Sequence, residues 1–570
     1  MWVSTRPARP ARIAPGPLAP VTAGDPDPSG HPSSKEGNPR MFPSSRLRKA
    51  VIASVAVAAL ALAGCAGGST SPGGSTGGGT PTPGGNLTVI SLGEMTCLDP
   101  WQTVIRAALQ WQRQLQDSLL FEDRDGAFHP WLAESYEVNA DATRFRFVLR
   151  EGVRFSDGST LNAETVAENL DALKAEPRYA VAQDFLRNYA GTEVVDDRTV
   201  DVSFSQPNAP FLYGISTPNL SLSSTATARL PAGQRCEGQA SGSGPFTLQS
   251  RRAGEQAVLA RNADYAWAAR PMANQGAAYL DTITVNQVTD QTIIGQAGLA
   301  GDAQLVQGFS DSLRPQLEQA GWQSFNEPDP ATASNVIFYP GRGVFGGDET
   351  ARRAFNLALD RSDLVLATGT STYTEAAGVL NRAHPFHTDQ SAQLRRDVPA
   401  ANALLDGAGW VRGTDGIRVK DGQRLSIETI GNATIADALA VAAQQLAEVG
   451  IELRIRVVTF QEEVAARAEG RIEARVNIQT GAEPTVLTLL FDGDLPEGLA
   501  ALASASAATT DFPERRATVD RMESLLLDQG WLAPLWESIN TPWWAPGVNG
   551  PVRDVGGLYM MSQIWLTPTG

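Results

Sequence analysis

From Asn86 onward the sequence predicts an α/β fold, and three stretches predict it. Residues 144–150 (RFRFVLR) alternate polar and apolar side chains, the period of a half-buried strand. Ala351, Ala354, Phe355, Ala358 and Leu359 recur at the spacing of one helical face. Residues 435–449 read as a helix stopped by Gly450, and 451–457 follow with clean alternation. Helix-then-strand order of this kind builds layers of helices on sheets.

The remaining elements fit the same class. Leu87, Val89 and Ile90 begin a short strand. Glu151-Gly152 is expected to turn strand 144–150 back into Val153-Arg154-Phe155 as a hairpin, closed by Ser156-Asp157-Gly158. Asn162 can cap a helix whose Val166, Leu170 and Leu173 share one face. Asp360 and Asp363 can cap the helix after 351–359. The body shows no repeat of 20–50 residues and no apolar run of membrane-spanning length.

Composition narrows the function. The 570 residues carry a net charge of −16, and residues 1–64 are themselves basic, so the body is strongly acidic. An acidic body repels phosphate backbones, which argues against nucleic acid as the main partner, and a net negative charge keeps a protein in solution. The three cysteines, Cys65, Cys97 and Cys236, form no C-x-x-C pair, and four histidines leave little material for a metal centre. No metal and no cofactor is expected.

The N-terminus carries the most specific local signal. Arg46, Arg48 and Lys49 precede an uncharged run, residues 50–63, that is short for a spanning helix and suits the apolar region of a signal peptide. The run ends in Leu62-Ala63-Gly64-Cys65, which resembles the bacterial lipobox, where small residues admit a peptidase and the Cys65 thiol takes a diacylglycerol. Residues 41–64 are therefore expected to be a lipoprotein signal peptide. Residues 1–40, rich in Pro, Ala and Arg, fit no part of it, and Met41 is expected to be the true start. Apart from Ala66, residues 66–85 are all Gly, Ser, Thr or Pro. Together with Cys65 they are expected to form a flexible tether spanning roughly 25 Å. Within it Gly73-Gly74-Ser75-Thr76-Gly77 matches G-x-S-x-G formally, without the strand and helix that a nucleophile elbow needs.

Six motifs then occur in order. They are Cys97-Leu98-Asp99-Pro100; the stretch from Trp131-Leu132-Ala133-Glu134 to Phe155-Ser156-Asp157-Gly158; Gly242-Ser243-Gly244-Pro245-Phe246; Asn262-Ala263-Asp264-Tyr265-Ala266-Trp267; 352–361 (RRAFNLALDR); and 403–410 (ALLDGAGW). The chain resembles the family 5 extracellular solute-binding proteins, the peptide, dipeptide and nickel-binding group that serves bacterial ABC importers. The resemblance implies a two-lobed, type II periplasmic-binding-protein-like fold, a Venus flytrap in its large form with an extra subdomain. By that analogy 86–115, 236–330 and 536–570 form the first lobe, 116–235 an inserted subdomain and 331–535 the second lobe. The implied function is capture of a small solute, peptide-like by family default, with opines, sugars and siderophores also open. Hinge closure over the solute would let the importer's permease distinguish loaded from empty protein. No catalytic step is implied, the lipid anchor would be the only membrane contact, and a monomer is expected.

The resemblance also places candidate ligand contacts. One is the loop before Leu98, with Glu94, Met95 and Thr96; Glu94 is read either as a receiver of a cationic group or as a solvated strand-end carboxylate. Another is the second-lobe segment Asn477-Ile478-Gln479-Thr480. There the family's peptide binders carry W-x-x-D-Y, whose Asp pairs with the peptide amino terminus. Here both the Trp and the Asp are missing, so Asn477, Gln479 and Thr480 offer neutral hydrogen bonds only. Glu483 reads as structural. Cys97 and Cys236, which flank segments of the same implied lobe, are expected to be disulfide-bonded outside the cytoplasm.

Several other patterns carry less. His384-Pro385-Phe386-His387 lacks a neighbouring Cys or acidic cluster for a metal. The G-x-G-x-x-G at 341–346 lacks the helix and distant acidic residue of a dinucleotide site. Trp531, Trp536, Trp543 and Trp544 are read as core in preference to an aromatic ligand wall. The rival readings are an extracellular α/β hydrolase, for which no nucleophile-base set is found, and a ligand-sensing receptor, which sequence does not separate from transport.

Overall fold

The computed structural model describes residues 80–92, 97–103, 105–176, 180–324, 328–539 and 542–567, all within one unit, Pro72–Gly570. Cys65, Glu94, Met95 and Thr96, and with them the signal peptide, lie outside the described residues.

Three sheets organise the unit. The first has seven strands, in the order Gln323–Ser324, Trp543–Trp544, Leu305–Gln307, Asn86–Leu92, Thr282–Val288, Gln256–Arg261 and Phe246–Arg252. Its central strand Asn86–Leu92 runs parallel to both neighbours. Alternation along that strand sends Leu87 and Val89 into one core with Leu259 and Ile283. It sends Ile90 into another, with Ile294, Val306 and Trp322.

The second sheet has six strands, in the order Thr374–Glu375, Leu532–Glu537, Ser334–Phe338, Ala474–Asn477, Ser426–Gly431 and Glu452–Val457. Helix Glu349–Ala358 is capped by Asp348, whose carboxylate accepts from the Ala351 N–H, and buries Ala351, Ala354, Phe355 and Ala358. Phe355 packs edge-on against Phe338 at 5.1 Å, which ties the helix to the sheet. Asp360 caps the next helix, Arg361–Ala367. Helix Ala436–Glu448 ends before Gly450, where φ is +84°, and leads into Glu452–Val457, parallel to Ser426–Gly431.

The third sheet has four strands, Ala133–Val138, Arg144–Leu149, Thr199–Phe204 and Tyr189–Asp196. Phe145, Phe147 and Leu149 are fully buried, and Phe145 meets Phe211 at 5.0 Å. On the other face Arg146 grips Asp201 across the strand pair through two 2.7 Å hydrogen bonds. Asn162 caps Ala163–Ala175, accepting from the Thr165 N–H at 2.9 Å, a contact worth about 1 kcal/mol.

The expected hairpin does not form. Strand Arg144–Leu149 pairs with Ala133–Val138 and Thr199–Phe204, while Val153, Arg154 and Phe155 fold into a turn of their own through an Arg154–Thr160 bridge. Alternation specifies which face a strand buries; it does not specify the partner. Among the described residues no helix is long and apolar enough to cross a membrane.

Candidate functional site between the sheets

A cavity of about 630 Å³ has the six-stranded sheet on one side and, on the other, helices and loops packed with the four-stranded sheet, with Arg106 and Leu109 beside them. That size falls in the roughly 300–1,000 Å³ range of pockets for small molecules.

One wall is the extension of strand Ala474–Asn477. Asn477 pairs with Asn335 in register, and beyond it the backbone stays pinned. The Thr332 N–H donates to the Gln479 carbonyl at 2.9 Å. The Gln479 N–H donates to Thr332 Oγ1 at 3.0 Å. The Gly481 N–H donates to the Pro330 carbonyl at 2.9 Å. A rigid backbone therefore presents Asn477, Gln479 and Thr480 to the cavity, the first two half-buried and Thr480 exposed. Their side chains are neutral hydrogen-bonding groups with no charge to offer.

The opposite wall holds Phe185, Tyr213 and Ser216 to Asn219, with Arg106, Val555, Gly556 and Leu558 beside them. Gly214 is needed here: a Cβ on it would sit 2.7 Å from the Phe185 side chain, so only glycine lets Phe185 and Tyr213 meet at 5.6 Å. Asn219 holds its loop by donating to the carbonyls of Pro100 and Thr103 at 2.8 and 2.9 Å. Arg106 pairs with Asp329 at 2.8 Å and donates to the Gly557 carbonyl at 2.7 Å.

Charge is divided along the cavity. Near Thr480 stand Glu122, Glu483 and Asp554. Glu483 is ion-paired with Arg515. Asp554 lies 3.5 Å from Arg113 and accepts from the Leu558 N–H at 2.8 Å. Burial pushes the carboxyls of Glu122, Glu483 and Asp554 upward. At the other end Arg475, 1 % exposed, pairs with Glu463 at 3.1 Å and donates to Tyr339 Oη at 2.6 Å. Arg467 clasps Asp492 there. From Arg475 to Thr480 an extended chain covers roughly 17 Å. This arrangement suits holding a solute by neutral and charged hydrogen bonds.

Other candidates occupy supporting positions. Cys97 and Cys236 are disulfide-bonded, and the Leu98 N–H donates to the Cys236 carbonyl at 2.9 Å. All four tryptophans are buried: Trp531 lies under the Arg352 guanidinium at 3.5 Å, Trp544 stacks edge-on with Tyr559, and Trp536 also lines the cavity. His384 Nδ1 accepts from the Phe386 N–H, and His387 Nδ1 donates to the Leu380 carbonyl. In 341–346, Gly346 serves packing, since a Cβ there would lie 2.5 Å from the Tyr339 carbonyl oxygen. Sequence reasoning did not single out Glu122, Tyr213, Asn219 or Arg475. A charged residue closing the apolar run Leu119-Leu120-Phe121-Glu122 was the one available signal.

Comparison with known proteins places this architecture. The chain is 28% identical over 391 residues to the glutathione-binding protein GsiB of Salmonella typhi, covering 67% of this chain and 71% of that one. Among solved structures, NikA from Brucella suis in complex with Fe(III)-EDTA superposes with a TM-score of 0.70 at 22% identity, over 84% of this chain and all of that chain. The oligopeptide-binding protein AppA from Bacillus subtilis, in complex with a nonapeptide, gives 0.69 at 19% identity, over 86% of this chain and all of that chain. These likenesses bear out the two-lobed type II fold. Residues 127–494 match the family model of bacterial extracellular solute-binding proteins, family 5. The chain belongs to the family 5 bacterial extracellular solute-binding proteins, and its role is to bind a solute and not to catalyse a reaction.

Proposed function

We propose that the protein captures a short peptide or peptide-like solute of glutathione size between its lobes and presents it to the permease of an ABC importer. The observation that carries this reading is the 630 Å³ cavity, whose walls come from chain segments hundreds of residues apart. A solute there touches both sides only when they close, so binding shifts the population toward the closed form. The GsiB likeness and the neutral Asn477, Gln479 and Thr480 wall support a peptide-type solute. The lipobox-like residues ending in Cys65 support attachment to the outer face of the cytoplasmic membrane through one lipidated cysteine. The lobe boundaries expected from sequence, with 116–235 as an inserted subdomain, belong to the same proposal.

A thermal-shift screen of the full chain tests it, with glutathione, di- and tripeptides, opines, sugars and siderophores. Ligand at a hundredfold excess over Kd stabilises by about 2.7 kcal/mol, which such a screen detects. Stabilisation by glutathione or short peptides is expected. Stabilisation only by sugars or siderophores would refute the peptide reading, and turnover of a bound solute would refute binding without catalysis.

A further inference from the structure

We propose that Glu122 receives a cationic group of the captured solute, so that the site selects solutes carrying an ammonium or a guanidinium; this rests on the cavity being the solute site. Glu122 ends the short strand Leu120–Glu122, whose other residues are fully buried core. The Glu122 residue is 6 % exposed, and its Oε2 has no hydrogen-bond partner. It lines the main cavity and also a second cavity of about 200 Å³, whose wall includes Phe128, Tyr136, Phe386 and Phe512.

Each other charged residue of the main cavity already has an ion pair: Arg106 with Asp329, Glu483 with Arg515, Asp554 with Arg113, Glu463 with Arg475 and Arg467 with Asp492. Among the described charged residues of this wall, Glu122 alone has none. A buried carboxyl oxygen without a hydrogen-bond partner is costly in either protonation state, so packing does not account for it. A cation brought by the solute supplies the missing partner through a charge-assisted hydrogen bond. The same wall offers that cation no second free acid, because Asn477, Gln479 and Thr480 are neutral.

The groups acting on Glu122 are Glu483, Asp554 and Asp123, which hold its proton, and Arg515, which opposes them. In the empty protein burial, foremost, pushes the carboxyl upward and so favours its neutral form. An ammonium at Glu122 favours the charged form instead: a proton held there passes to solvent, and the carboxylate accepts hydrogen bonds from the solute's ammonium.

The test titrates the full chain and its Glu122→Gln variant with glutathione and tripeptides, each free and N-acetylated, and with arginine and spermidine. The wild type is expected to prefer the free amine by roughly 10- to 100-fold, and Glu122→Gln to lose that preference without weakening the acetylated form. The empty variant is expected to melt no lower than the wild type. Wild-type calorimetry from pH 5 to pH 7 is expected to show the preference for the free amine strengthening as pH rises, a readout that needs no variant. Equal binding of the free amine by both proteins, or a wild-type preference that does not strengthen as pH rises, overturns the inference. If the wild type ignores peptides but takes arginine or spermidine in a Glu122-dependent way, the peptide reading fails and this inference stands. A wild type whose solutes all lack a cation overturns it.

Discussion

The Tyr213 hydroxyl accepts a hydrogen bond from the Ala482 backbone N–H at 3.3 Å, and so joins the two walls of the cavity directly. The Ala209 N–H also donates to the Ala507 carbonyl at 2.9 Å, a second bond between distant chain segments. Such contacts favour the closed form, so Tyr213→Phe should weaken solute binding by roughly 2- to 10-fold, the worth of one net hydrogen bond. Denaturation of the empty protein should change little. Titration calorimetry beside a urea melt checks both halves.

The Cys97–Cys236 disulfide closes a loop of 139 residues in sequence separation. In the chain-entropy model such a crosslink stabilises by at most about 5 kcal/mol. The Arg235–Asp99 ion pair at 2.7 Å ties the same two segments together beside it. The double variant Cys97→Ser, Cys236→Ser should therefore fold but unfold at lower urea, and reduction of the wild type should move its midpoint the same way.

Glu523 sets a pH dependence. Burial raises its carboxyl to about 8, and the Leu380 N–H at 3.1 Å only partly offsets this. The folded protein then binds more protons than the unfolded chain between the ordinary carboxyl pKa, about 4.5, and about 8. This contribution is full below that window and falls as pH rises through it, by up to about 1.4 kcal/mol per unit. Glu523→Gln should gain on the wild type steadily from pH 5 to pH 8 in chemical denaturation.

Cys65 sets membrane attachment in the proposed function. Cys65→Ser in the full chain should move the protein from the membrane to the soluble fraction of cells, with solute binding unchanged.

Much of the scaffold was legible because local periodicity reports local burial. Ala351, Ala354, Phe355 and Ala358 announced a helix face that is indeed buried, and 451–457 announced the strand found at Glu452–Val457. Pairing was less legible: Arg144–Leu149 alternates as expected, yet its neighbours come from 133–138 and 199–204 instead of the next turn. The site was legible only in part. Asn477, Gln479 and Thr480 drew attention through a resemblance of motifs, whereas Tyr213, Asn219 and Glu122 lie in segments with no periodic or motif signal. Their convergence is a product of tertiary topology, which no window along the chain contains.

The central claim is that the solute binds between the two walls. Thr480, exposed on the cavity wall, tests it most directly, because a bulky side chain there fills the space without disturbing core packing. Calorimetric titration of the full chain should show one glutathione or short peptide bound per molecule, and Thr480→Trp should abolish that binding while keeping the wild-type melting temperature. Undiminished binding in the folded Thr480→Trp variant would contradict the account.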